Sequence, residues 1–346
     1  MDPRTVGAAP AAIRLRGRRA DCDAPPVIDK PRIDERLLAA EVAAAWAVDI
    51  ADLVFLPVGL DGQAWAYRVD TADGGRFFLK LRRGRFTRAA VLLPGFLRAR
   101  GVRQVVAPID LPDGGAAHRW GEHELLLYPF HDGGSRWSGG LTDRQWIEYG
   151  EFLGRLHAVL PSADVAAVLP VETYRSTAGD RLRTLGGQAA ASEALGDFWN
   201  RYGAVLHQLS DTVDELASRV TPVEHVICHA DIHPGNLIAD GDGPLHAVDW
   251  DAPILAPRER DLMFVHSGDF GDHPIDARRA ALFRRGYGPR EPDQILLRYY
   301  RDERRLDDVA AFLDSILDPE AGPEASRNDL HWLTRIAETV AADGRP

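Results

Sequence analysis

Apolar positions recur with two different periods along this chain, and the switch between them splits it in two. From residue 52 to residue 130 the apolar stretches are short, rich in Val, Leu, Phe and Tyr, and separated by turn-forming residues. That pattern predicts strands over 52–59, 64–70, 76–82, 103–110 and 123–130, the first three divided by GLDGQ and TADGG. An Ala-rich helix over 33–48 precedes them, with Leu37, Leu38, Val42 and Trp46 near helical spacing. A second helix is expected over 86–100, interrupted by Pro94. After residue 141 the period becomes helical. The stretch 142–160 puts Trp146, Tyr149, Leu153, Leu156 and Leu160 on one face, with Thr142 as N-cap. His157 lies near that stripe and reads as a core or surface histidine. Ser192 is expected to cap a longer helix carrying Leu195, Phe198, Trp199, Tyr202, Leu206, Leu209, Val213 and Leu216 in register. Another helical stretch follows at 256–265, with two or three more to the end. The elements predict an α+β architecture: a disordered tail over 1–32, a lobe built on a five-stranded antiparallel sheet over 33–130, and a mostly helical lobe over 131–346.

One stretch breaks the helical pattern. Residues 226–251 read VICHADIHPGNLIADGDGPLHAVDWD. Asp231 and Asn236 have the D-x-x-x-x-N spacing of a phosphoryl-transfer loop, and Asp249 closes the next apolar run. Phosphoryl transfer needs a carboxylate near the attacking hydroxyl and hard oxygen ligands for magnesium; Asp231 suits the first role, Asn236 and Asp249 the second. The Gly-rich turn between NLIA and LHAV predicts two short strands that fold Asp249 back beside Asn236. His229 is expected to pack beneath the loop and bond to backbone, with His233-Pro234-Gly235 as a turn. His229-x-Asp231-x-His233 is also a pattern that can hold zinc, although only His246 stands close by as a further histidine ligand. Asn236 is one of three asparagines, with Asn200 and Asn328, which makes chance placement at this spacing less frequent. Asp251 has two readings, a magnesium contact through water or a cap of the next turn. Asp261 could brace the loop by accepting backbone N–H bonds or cap a helix. Ile238 and Val248 flank the metal ligands and could floor an adenine pocket, or be ordinary strand core.

Two features of the sheet lobe extend this chemistry. The GLDGQ turn, with Asp61 and Gly62, lies one strand before FFLKL, where glycines would let backbone amides approach phosphate. Lys80 sits inside FFLKL and is one of two lysines among 41 basic residues, the other being Lys30. A compact ammonium retained among Phe77, Phe78, Leu79 and Leu81 points to a phosphate contact more than to a solubilising edge residue. The helix over 86–100 contains no acid to hold that lysine; Asp61 or a phosphate oxygen could serve. Tyr128 to Phe130, before His131-Asp132-Gly133-Gly134, form a hinge-like crossing where backbone groups could bind adenine.

At 346 residues the chain can bury two lobes, and its 45% apolar and 27% charged content is ordinary. The formal net charge of −11 argues against a nucleic-acid partner and favours cationic ones. No apolar run is long enough to span a bilayer, no signal peptide is evident, and the two cysteines, Cys22 and Cys228, build no disulfide framework; the cytoplasm is expected. Residues 1–32 hold seven basic and four acidic residues without periodicity, as a loose tail would.

With these residues assembled, GLDGQAWAYRVD, FFLKLRRG, GVRQVVAPI, LLLYPF, CHADIHPGN, VDWDAPILAPRERDLMF and YYRDERRLDD resemble the aminoglycoside phosphotransferases of the protein-kinase-like bilobal fold, the spectinomycin branch in particular. The resemblance implies ATP (or GTP) and Mg2+ as cofactors, Asp231 as base or orienter, and Asn236 and Asp249 as metal ligands. Lys80 would contact the phosphates, with Asp61, Gly62, Tyr128, Phe130, Ile238 and Val248 around the nucleotide, and His229 and Asp261 as braces. It also implies a small cationic hydroxylated substrate. Asp251, Glu303, Asp307 and Asp308 are candidate carboxylates for its ammonium groups; the other reading of Glu303, Asp307 and Asp308 is a solvated face paired with Arg301, Arg304 and Arg305. A kinase of choline, an amino alcohol or a sugar-like metabolite is the enzymatic alternative, and a nucleotide-binding pseudokinase the other. No membrane partner is expected, and the oligomeric state is left open.

Overall fold

The computed structural model describes residues 30–58, 63–136, 140–266, 275–318 and 323–343. The expected tail, except for 30–32, and both Asp61 and Gly62 lie outside them. Helix α1 (Glu35–Trp46) opens with Asp34, whose carboxylate accepts from the Arg36 and Leu37 amides. Leu38, Val42 and Trp46 are buried, but Leu37, expected on that face, is 61% exposed. Strands β1 (Ile50–Leu56), β2 (Ala64–Thr71) and β3 (Arg76–Arg83) follow, and α2 (Arg88–Ala99) tolerates Pro94 inside it.

Strands β4 (Ala117–Trp120) and β5 (His123–Pro129) complete an antiparallel sheet in the order β1-β2-β3-β5-β4. The strand expected over 103–110 does not form. Pro108 has no N–H to donate, and the backbone of Gln104 and Val106 is bonded to Ala247 in the other lobe, at 2.7 and 3.1 Å. Its place in the sheet is taken by 117–120, which pairs with β5 across a turn where Gly121 has φ 56°. Side chains alternate across β3, so Leu79 and Leu81 enter a core with Tyr67, Leu125, Leu127 and α1, while Lys80 points to the opposite side.

The second lobe starts with β6 (Gly134–Ser135), then α3 (Asp143–Ala158), α4 (Ala163–Ala166), α5 (Ala178–Ala191) and α6 (Gly196–Ser218). Thr142 and Gln145 cap α3 reciprocally. Ser192 does not cap the long helix: it ends α5 and accepts from the Ala194 amide, and α6 starts after Leu195. Then come β7 (Val226–Cys228), a 3-10 turn (Pro234–Asn236), β8 (Leu237–Ala239), β9 (His246–Ala247) and β10 (Ile254–Ala256). Helices α7 (Glu259–His266), α8 (Ala277–Tyr287), α9 (Gln294–Leu317) and α10 (Pro323–Asp343) close the chain. The helical core gathers Tyr149, Phe152, Leu206, Val213, Tyr300 and Leu313. No helix among the described residues is long and apolar enough to cross a membrane.

Two glycines fix close approaches. Gly133, at φ 116°, passes over β8 so closely that a Cβ would strike the Ala239 carbonyl. Gly150 lets α3 lie directly on α8, where a Cβ would collide with the Phe283 carbonyl and reach 2.7 Å from the Tyr287 nitrogen. Gly150→Ala is expected to lower stability by roughly 1–3 kcal/mol, as an overpacked contact between backbones that cannot yield. The midpoint of denaturant unfolding checks this, and an unchanged midpoint would contradict so close a crossing.

Candidate active site

The candidate site is built on a buried carboxylate. Asp261 of α7 has no solvent exposure and accepts from the backbone N–H of His229 at 3.0 Å and of Ala230 at 2.7 Å. His157 of α3 stands on its other side, with Nε2 3.1 Å from Asp261 Oδ2 and Nδ1 2.9 Å from the Tyr287 hydroxyl. These contacts hold Ala230 at φ 70°, a left-handed conformation that a non-glycine residue adopts only under constraint. Buried His229 passes the constraint on. Its Nδ1 accepts from the Asp231 amide at 3.3 Å, so the ring proton sits on Nε2, which donates to the Val248 carbonyl at 2.9 Å. The next residue, Asp249, is also left-handed, at φ 65°.

The β8–β9 hairpin brings the two ends of the motif together. Leu237 pairs with Ala247 and Ile238 with His246, and the Val248 N–H donates to the Asn236 carbonyl at 3.0 Å. Asn236 Nδ2 donates to the Asp231 carbonyl at 2.8 Å and to Asp231 Oδ2 at 3.1 Å. That orientation leaves Oδ1 as the amide atom able to ligate a cation. His233 turns its Nδ1 to the Gly235 amide, and His229 is engaged at both nitrogens, so the His-x-Asp-x-His run is not assembled as a zinc site.

Opposite this segment, Lys80 Nζ lies 2.6 Å from Asp249 Oδ1 and 2.8 Å from Asp251 Oδ2. Burial disfavours the ammonium, but the two carboxylates outweigh it and raise the Lys80 pKa above the ordinary lysine value. Asp249 is pushed up by burial and down more strongly by Lys80, and ends below the usual carboxylate range. For Asp251 burial prevails over Lys80, and the pKa is raised. Asp249, with the Asn236 carboxamide oxygen from the 3-10 turn that precedes β8, offers hard oxygens that fit a divalent cation.

Around them, Ile238 and Val248 are half-buried while Leu237, Ala239 and Ala247 between them are fully covered, so the half-buried pair shares one face of the hairpin. Tyr128 is half-buried on β5, edge-on to Phe78, and the Phe130 amide donates to the Arg76 carbonyl at 3.2 Å. That amide is therefore not available to a base.

Helix α9 supplies residues that the sequence left ambiguous. Arg304 donates from Nη1 to Asp231 Oδ1 at 2.6 Å and from Nε to Asp308 Oδ1 at 3.0 Å. Arg260 Nη1 reaches Glu303 at 2.6 Å. Arg301 and Arg305, read as partners of the acidic face, bond instead to Asp302. Asp307 has no ion-pair partner among the described residues. Burial raises the pKa of Glu303 and of Asp307, and lifts Asp308 to about 6 against the pull of Arg304. Arg304 pairs with this acidic face as the alternative reading of the sequence has it, but its contact with Asp231 was not announced by the motif, and Arg260 had no signal beyond its alternation with acids in RER.

A kinase-like sheet lobe over a helical lobe, with these groups in the cleft, defines a small-molecule phosphotransferase, and the chain belongs to the APH phosphotransferase enzyme family, whose profile matches residues 53–328. Its fold is similar to that of spectinomycin phosphotransferase APH(9)-Ia solved with ADP and spectinomycin, at a TM-score of 0.80 and 25% identity over 90% of this chain and 99% of that one. In sequence it is 25% identical to protein StrN of Streptomyces griseus over 306 residues, 83% of this chain and 86% of the relative. An amicoumacin kinase solved with AMP-PNP and Ca2+ shares the fold at a TM-score of 0.63 and 15% identity, over 90% of this chain and 95% of that one.

Removing the Asp261 carboxylate orphans two buried backbone N–H groups. Asp261→Ala is expected to lower stability by about 3 kcal/mol, the order of their combined desolvation. Turnover should also fall, because Ala230 loses what holds it left-handed. Chemical denaturation and a steady-state assay check both; full activity in a stable D261A protein would remove the brace from the argument.

Proposed function

We propose that this enzyme transfers the γ-phosphoryl group of ATP, with Mg2+, to a hydroxyl of a small cationic aminocyclitol or aminoglycoside, spectinomycin being the first candidate. The observation that carries the reading is the position of Asp231, between Asn236 on the nucleotide side and Arg304 and the acidic face of α9 on the other. The likeness to a phosphotransferase solved with ADP and spectinomycin supports the choice of donor and acceptor.

Asn236 and Asp249 are the ligands for magnesium, which when bound neutralises charge on the phosphates. Lys80 contacts the phosphates from β3. Tyr128, Phe130, Ile238 and Val248 enclose the adenine, and residues 33–130 form the nucleotide-binding lobe. Residues 131–346 carry catalysis and acceptor binding. Asp231 orients the acceptor hydroxyl and takes its proton as the oxygen bonds to phosphorus; the terminal phosphoanhydride bond breaks and ADP leaves. Glu303, Asp307 and Asp308 receive the ammonium groups, Asp307 being the one of the three without an ion pair among the described residues.

The direct test is magnesium-dependent ADP release with and without spectinomycin, followed by phosphorus NMR of the product. Drug-dependent release supports the reading. Turnover only with choline, an amino alcohol or another hydroxylated amine would move the substrate elsewhere, and none with any acceptor would defeat it. Asp231→Asn is expected to lower kcat by about 10²- to 10⁴-fold while nucleotide affinity is kept. Asp249→Ala should weaken Mg·ATP binding as well.

Asp308 predicts a pH limb. Burial lifts its pKa to about 6, so its carboxylate is charged above that pH and neutral below it. The kcat/KM for a cationic acceptor should therefore fall as pH drops through about 6, and in Asp308→Asn it should be lower and flat across that range. Stability responds in the opposite sense: the raised pKa favours the folded state at low pH, and that contribution is lost as pH rises through about 6. A limb unchanged in D308N would assign it to another group.

A further inference from the structure

A lysine that reaches for phosphate needs an acid to hold it, and in protein kinases a glutamate on the helix after the lysine strand supplies it. Here α2 reads RAAVLLPGFLRA and has no acid, and its buried face is Ala89, Ala90, Leu93, Pro94 and Leu97. What α2 brings to the site is its N-cap: the Thr87 hydroxyl donates to the Asp251 carbonyl at 3.5 Å. The Asp251 side chain in turn meets two cations of β3, Lys80 at 2.8 Å and Arg82 at 3.6 Å. We infer that Asp251 is the positioning acid for Lys80, in the place of the absent helix glutamate.

The inference rests on the phosphotransferase reading and separates two neighbouring carboxylates within it. Both now lie on one ammonium. When Asp249 ligates a divalent cation it can no longer neutralise Lys80, whose side chain is only 17% exposed. A desolvated ammonium without a counter-charge is strongly disfavoured, and Asp251 is the carboxylate that remains. Lys80 stands on the sheet and Asp251 on the catalytic segment of the other lobe, so the lysine is oriented only when the two are together.

A double-mutant cycle tests this by calorimetry with AMP-PNP, in Mg2+ and separately in EDTA, for wild type, Asp251→Asn, Lys80→Met and the double variant. Asp251→Asn is expected to weaken AMP-PNP binding about five- to tenfold in both conditions, and by less than about twofold in the Lys80→Met background, because the carboxylate acts through the lysine. Asp251→Glu, which keeps the charge, should regain part of the loss. Asp251 is one-third exposed, so these variants are expected to fold, and thermal unfolding verifies it. A loss of equal size in the Lys80→Met background, a loss seen in Mg2+ and absent in EDTA, or tighter binding by Asp251→Asn would each overturn the inference. Wild-type protein that bound no AMP-PNP in either condition would instead remove the phosphotransferase reading beneath it.

Discussion

The catalytic-loop segment takes its conformation from one fully desolvated carboxylate. Asp261 is tolerable in the core only because two backbone N–H groups and His157 satisfy it, and those partners are the residues that must be held. Binding the His229 and Ala230 amides puts Asp231 at the end of a constrained turn. His229 then ties that turn to Val248, one residue before Asp249. Charge burial, an unfavourable left-handed residue and the aim of two candidate carboxylates are thus one problem with one solution.

The charges of the cleft follow a second logic. Asp231, Glu303, Asp307 and Asp308 face two guanidinium groups, Arg260 and Arg304. Arg181 adds a third guanidinium near Asp307 and Glu172 a further carboxylate near Glu303, so acids still outnumber cations there. Burial is the largest cause that raises the carboxyl pKa values of Glu303, Asp307 and Asp308, so desolvation already disfavours their charged forms. A solvated charge face would not show that shift. On the phosphotransferase reading, an incoming ammonium offsets that desolvation, which only a cation can do.

How much of this was legible depended on whether the determinant was local. The loop motif was, because Asp231, Asn236 and Asp249 are set by spacing and by a Gly-rich hairpin that short-range turn chemistry predicts. The scarcity of lysine likewise marked Lys80, which stands on the face of β3 opposite Leu79 and Leu81. The fifth strand was misplaced because 103–110 carries strand-like Val and Ile but uses its backbone bonds on the other lobe, a tertiary choice that no local propensity records. Ser192 was misread for a related reason, since one serine between two helices can serve either end. The two carboxylates on Lys80 lie 169 and 171 residues away. No pattern along the chain connects them to it.

That last separation has a consequence for how the enzyme is built. An acid on α2 would travel with the sheet, and the lysine would be oriented whatever the other lobe did. An acid beyond Asp249 makes the orientation conditional on the lobes meeting. Val106 and Gln104 already bond across the same junction through Ala247, and Gly133 presses the crossing chain onto β8, so the two lobes are pinned near the hinge. With the hinge side fixed, the Lys80–Asp251 contact is the natural closure on the cleft side. A helix whose buried face is wholly apolar can then dispense with its acid without leaving Lys80 unpaired.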